Sequence, residues 1–232
     1  MRGWTSKPTT EMARPPPTLA RHLLGSDPLR RAIYIVGLMP AVWTFYLGLM
    51  DQLGADPQNV LERTLGLWAL RFLILTLAIT PLRRLGGPNW IRYRRTLGLL
   101  GFYYAALHLT VYLVLDQGLD GAAIWADIVK RPYITVGMLA FTILVPLAVT
   151  SNNASIRRLG GAAWAQLHKL VYVAIAAAAL HFLMLAKVWA VEPLCYAAIV
   201  AALLAYRLAV YLRPRHQKRR ATEAVAPVRS AR

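Results

Sequence analysis

The apolar residues of this chain come in six long blocks, and that spacing limits the fold more than any motif does. Each block runs about 18 to 22 residues, the length that crosses a bilayer core at about 1.5 Å per residue. They fall at about 32–50, 65–82, 97–115, 133–150, 164–185 and 193–212, with Pro40 in the first and Pro146 in the fourth. With 57% hydrophobic residues and a mean hydropathy of +0.43, the chain is too apolar for a soluble domain of 232 residues. No segment keeps the period-2 alternation of a membrane barrel. The expected fold is all-α: a polytopic transmembrane bundle of six spans seated in the lipid bilayer. Residues 1–30, with prolines at 15–17, read as a disordered tail, residues 31–212 as the bundle, and residues 213–232 as a second, basic tail against anionic headgroups.

The formal charge of +17 raises the question of nucleic acid. No recognition motif accompanies it, so no nucleic-acid partner is expected. The positive residues cluster in alternate connections instead. Arg83, Arg84, Arg92, Arg94 and Arg95 follow the second block, and Arg157 and Arg158 follow the fourth. The other connections are mixed or acidic: Asp51, Asp56 and Glu62 in one; Asp116, Asp120, Asp127, Lys130 and Arg131 in another; Lys187 and Glu192 in the last. By the positive-inside rule both termini are expected to be cytoplasmic. Cys195 is the sole cysteine, which excludes an intrachain disulfide, a cysteine zinc site and an iron–sulfur cluster. No Gly-rich dinucleotide fingerprint or Walker loop is present, so the chain cannot take hydride from a nicotinamide through a Rossmann module.

Three of the five histidines lie inside apolar blocks: His108, His168 and His181. Imidazole in hydrocarbon is costly, and holding a metal centre is among the best reasons to bear that cost. His108 falls about 16 Å from the cytoplasmic end of its span, and His181 about 20 Å beyond His168 on another. His108 and His181 therefore share a depth and could supply both axial ligands of one b-type haem. His168 sits alone near the inner face. It could ligate a second haem with a weak partner, or line a quinone or flavin site. Its 13-residue spacing from His181 leaves the two side chains roughly 140° apart on a straight helix, so stacking two haems on one face needs a bend or local unwinding. The competing reading is a scaffold whose histidines only hydrogen-bond across helices. Arg71, inside the second block, either snorkels to headgroups or meets a haem propionate. Arg92, Arg94 and Arg95 could hold the phosphate of an anionic cofactor, although topology alone explains them.

The stretches GADP (54–57), RFLILTLAITPLRR, RTLGLLGFYYAALHLTVYLVLD, RPYITVGM and AVTSNNASIRRLGGAAWAQLHKLVYVAIAAAALHFL, in this order, resemble the MsrQ (YedZ) family of ferric-reductase-like transmembrane cytochromes. The resemblance covers roughly residues 29–212. It implies a multi-pass haem b subunit of the bacterial inner membrane that also uses FMN. Electrons are expected to come from membrane quinone and to pass to MsrP, a periplasmic molybdopterin enzyme that reduces methionine sulfoxide in oxidised proteins. The family's three membrane histidines map onto His108, His168 and His181. Where the wider superfamily pairs four histidines for two haems, this chain has one on its third span, with Arg94 or Arg95 near the place of the other. The alternative function is a ferric-chelate metalloreductase. On either reading, no catalytic residue is expected in this chain, and substrate chemistry belongs to a partner.

Overall fold

The computed structural model describes residues 28–186 and 190–225, with side chains through Leu212. Lys187 and Trp189, residues 1–27 and residues 226–232 lie outside the described residues. The described chain is helical, with no strand. In order it comprises α1 (Pro28–Leu49), α2 (Pro57–Arg84), a 3-10 turn (Ile91–Tyr93), α3 (Arg94–Val111), a π turn (Tyr112–Asp116), α4 (Gly121–Lys130), α5 (Pro132–Val149), α6 (Asn153–Leu159), α7 (Gly161–Leu167), a 3-10 turn (His168–Leu170), α8 (Val171–Leu185) and α9 (Val191–Val225). Six stretches are long and apolar enough to cross a membrane: 28–49, 57–84, 91–116, 132–149, 161–185 and 191–212.

The second span begins earlier than its apolar run. Asp56 accepts the Asn59 N–H and Pro57 occupies the first turn, so helix starts eight residues before the expected boundary at 65. Glu62 is thus a helical residue, not a loop residue. The acidic connection after the third span folds as well. Asp120 accepts the N–H groups of Ala122 and Ala123 and opens the short α4. The last helix carries on past Leu212 to Val225, into the segment expected to be disordered. Its Lys, Arg, Gln, Ala and Glu residues are good helix formers.

The packing pairs close a ring, α2 on α3, α3 on α5, α5 on α8 and α8 back on α2. That ring puts α3 and α8 on opposite corners, with α2 and α5 on the other diagonal. α1 leans on α2 and α3, and α9 on α8 and α2. Burial follows this order: 44% of the apolar window of α2 is buried, against 11% for α1 and 6% for α9. Two clusters fill the bundle. One joins Ala41, Leu61, Leu65, Phe72, Leu100 and Tyr104; the other joins Leu70, Leu73, Leu77, Leu144, Ile175 and Val200.

Two prolines show how the outer helices are fixed. At Pro40 the ladder of α1 opens, and the fully buried Tyr104 hydroxyl enters it, accepting from Ala41 N–H (3.0 Å) and donating to Gly37 C=O (2.7 Å). Pro81 in α2 has no N–H to give Leu77 C=O, four residues back. Arg207 of α9 donates to that carbonyl at 2.9 Å. Arg63–Glu192 (2.6 Å) and Arg71–Tyr196 (2.7 Å) join the same two helices further along.

Candidate functional site

His108 on α3 and His181 on α8 meet across the diagonal of the ring. Their imidazole centroids are 6.2 Å apart and their planes are inclined by 70°. Each Nδ1 contacts a backbone carbonyl of the other diagonal: His108 to Glu62 O of α2 (2.9 Å), His181 to Tyr133 O of α5 (2.7 Å). A carbonyl oxygen only accepts, so both rings carry their proton on Nδ1. In a neutral ring that leaves the Nε2 lone pair bare, the tautomer a metal-binding histidine needs.

Each ring packs over a glycine, and at Gly137 the approach leaves no room for a side chain. A Cβ at Gly66 would lie 3.4 Å from His108 Nδ1, and one at Gly137 only 2.8 Å from His181 Nδ1. Sequence reading missed both glycines and both carbonyls. A glycine inside an apolar helix run carries no mark of which neighbouring ring it admits.

His168 has a different environment. The helix carrying it changes to 3-10 geometry over His168–Leu170. Three residues turning about 120° instead of about 100° narrow its angle to His181 from roughly 140° to roughly 80°. Its ring stacks on Trp164 at 3.9 Å and 27°. Its Nε2 lies 3.1 Å from Thr150 Oγ1, whose own proton goes to Pro146 O at 2.6 Å. The hydroxyl therefore accepts from Nε2–H, and His168 takes the opposite tautomer from the pair. Trp164 Nε1–H donates to Thr150 O (2.8 Å) and locks the group.

Arg71 lies on α2, half-buried, with Nε donating to Tyr196 OH at 2.7 Å. Its guanidinium carbon is 5.0 Å from the Trp68 ring and 5.9 Å from that of Tyr196. Beyond the histidine pair, the π turn brings Tyr112, Gln117 and Asp127 together, and Arg131 pairs with Asp127 at 3.2 Å. A groove of about 880 Å³ runs between α1 and α2, lined by Val36, Pro40, Trp43, Thr64, Trp68 and Phe72 among others; no histidine lines it.

A bundle with two facing imidazoles on diagonal helices defines a class, and residues 65–179 match the family described as "Ferric reductase like transmembrane component". With six apolar helices as well, the chain is a multi-pass membrane protein. Proteins of Brucella ovis, Brucella canis and Brucella abortus named "Protein-methionine-sulfoxide reductase heme-binding subunit MsrQ" are each 64% identical over 184 residues, covering 79% of this chain and 83% of theirs. This chain belongs to the MsrQ family.

Proposed function

We propose that this chain is a transmembrane b-type cytochrome, with His108 and His181 as the axial ligands of one haem. The observation that carries the reading is the spacing and tautomer of that pair. The facing rings, with centroids 6.2 Å apart, would hold one metal centre between them. The Glu62 and Tyr133 carbonyls hold the proton on the far side of each ring and orient it. A bound haem supplies one-electron transfer between its ferric and ferrous states. Arg71 spends Nε on Tyr196, and its two terminal nitrogens form the fork a propionate would take.

The chain acts as the electron-transfer subunit of a protein-methionine-sulfoxide reductase system, a reading supported by its relatives' name, which gives a heme-binding subunit of that reductase. It takes electrons from membrane quinone, uses FMN as a further carrier, and passes them to a periplasmic molybdopterin enzyme, MsrP. It lies in the bacterial inner membrane with both termini cytoplasmic, a placement supported by the arginine-rich connections near residues 83–95 and 157–158. His168 would then stand at the cytoplasmic end. With its Nε2 committed to Thr150, it fits the edge of a quinone or flavin site better than an iron ligand. Arg94 and Arg95 open α3, and Arg95 donates to Asn153 Oδ1 three residues past Thr150, so the two would suit a flavin phosphate there.

The test is stopped-flow reoxidation of the reduced protein in membranes. Oxidised MsrP should reoxidise it rapidly, and ferric chelate only slowly. The reverse order would replace this reading with that of a metalloreductase, the activity suggested by the matched family's description.

A further inference from the structure

The two imidazoles are seated by the same device, used twice. Glu62 and Gly66 are four residues apart on α2; Tyr133 and Gly137 are four residues apart on α5. In an α-helix the glycine N–H at i+4 already bonds to the carbonyl at i. The imidazole from the opposite diagonal adds a second hydrogen bond to that same oxygen, at 2.9 Å for His108 and 2.7 Å for His181. To reach it, the ring must pass over the residue at i+4. A side chain there would stand in its path: a Cβ at Gly137 would meet Nδ1, Cε1 and Cγ of His181 at 2.8, 3.0 and 3.3 Å. At Gly66 the corresponding atoms of His108 are at 3.4, 3.5 and 3.8 Å.

We infer that Gly66 and Gly137 are positioning residues for the axial imidazoles, each clearing the path of a ring to the carbonyl one helical turn before it. The inference rests on the haem reading above and extends it to residues that touch no iron. The two seats are unequal. The Gly137 seat has no room for a methyl group, so His181 must move off its carbonyl when one is added. At the Gly66 seat an added methyl group would sit at van der Waals contact, 3.4 Å from Nδ1, and presses His108 only slightly. A weakened Nδ1–H···O=C bond makes the imidazole a poorer donor, which disfavours ferric iron and raises the midpoint potential. Moving one ring also changes the 70° between the planes, which the anisotropy of a low-spin ferric signal reports.

The experiment compares Gly137→Ala, Gly66→Ala and Gly98→Ala in the full-length holoprotein, reading haem content, midpoint potential and the low-temperature ferric EPR spectrum. Gly98 is the control, since its added Cβ meets only Thr76 Cγ2 at 3.9 Å. Gly137→Ala should lose haem severalfold, and the haem that remains should show a raised potential and a shifted signal. Gly66→Ala should keep its haem with a smaller shift in the same direction. Gly98→Ala should match the unaltered protein. Should Gly137→Ala fail to fold, the ordering of Gly66→Ala against Gly98→Ala still decides. A Gly137→Ala protein with the unaltered signal and potential overturns the seat and leaves the ligand pair standing. An unaltered signal in His181→Ala overturns the ligand pair itself, and the seat with it.

Discussion

The two ends of this bundle treat histidine in opposite ways. At one end His108 and His181 give their Nδ1 protons to main-chain carbonyls, which leaves both Nε2 atoms bare. At the other, His168 gives Nε2–H to a threonine hydroxyl and lies under an indole. The first environment is built from backbone and glycine, with almost no adjustable parts. The second is built from side chains that can rotate. A pair held by main chain keeps its geometry through changes of charge, which suits an electron carrier. A ring held by a hydroxyl can exchange that partner for a ligand's oxygen. Three histidines in apolar sequence are therefore not three equivalent ligand candidates, and the atom that holds each proton separates them.

The comparison breaks most visibly if the pair is removed. His108→Ala or His181→Ala should each abolish nearly all low-spin haem, measured by the pyridine haemochrome of purified protein. Retention of most haem by both variants would dissolve the distinction between the ends. A smaller effect sharpens it at the other end. Thr150→Val removes the acceptor of His168 and the donor to Pro146 O, and should cost about 2 kcal/mol in thermal unfolding, roughly 1 for each hydrogen bond, while the haem spectrum stays unchanged. Smallest is Arg63→Ala. Its ion pair with Glu192 has side chains 55% and 39% exposed, so stability should move by less than about 1 kcal/mol. A larger loss would mean that α9 depends on that exposed link more than on Arg71 and Arg207.

The six spans were legible because apolar length alone sets them, and each observed span overlaps its expected block. The pairing of His108 with His181 was legible from depth: a rise of about 1.5 Å per residue places both at one level. Helix starts were less legible, since Asp56 with Pro57 extends α2 ahead of its apolar run. Apolar patterning also leaves 121–130 as a bare connection, although Asp120 caps a helix there. The carbonyls of Glu62 and Tyr133 were beyond reach, because every residue has one and only packing chooses which is used. Gly66 and Gly137 were hidden for the same reason. The mismatch between His168 and His181 was foreseen as an obstacle on a straight helix, and the 3-10 turn at His168 reduces it. The Tyr104 hydroxyl in the α1 ladder was also unforeseen; Pro40 marks where the ladder opens, not what enters it.

The most direct test of the central claim is the ferric EPR spectrum of the His168→Ala holoprotein beside the unaltered one. Two imidazoles inclined by 70° should give the strongly anisotropic low-spin signal of near-perpendicular axial ligands. His168→Ala should retain that signal at nearly full intensity. Loss of the signal in His168→Ala, with its survival in His181→Ala, would contradict the account.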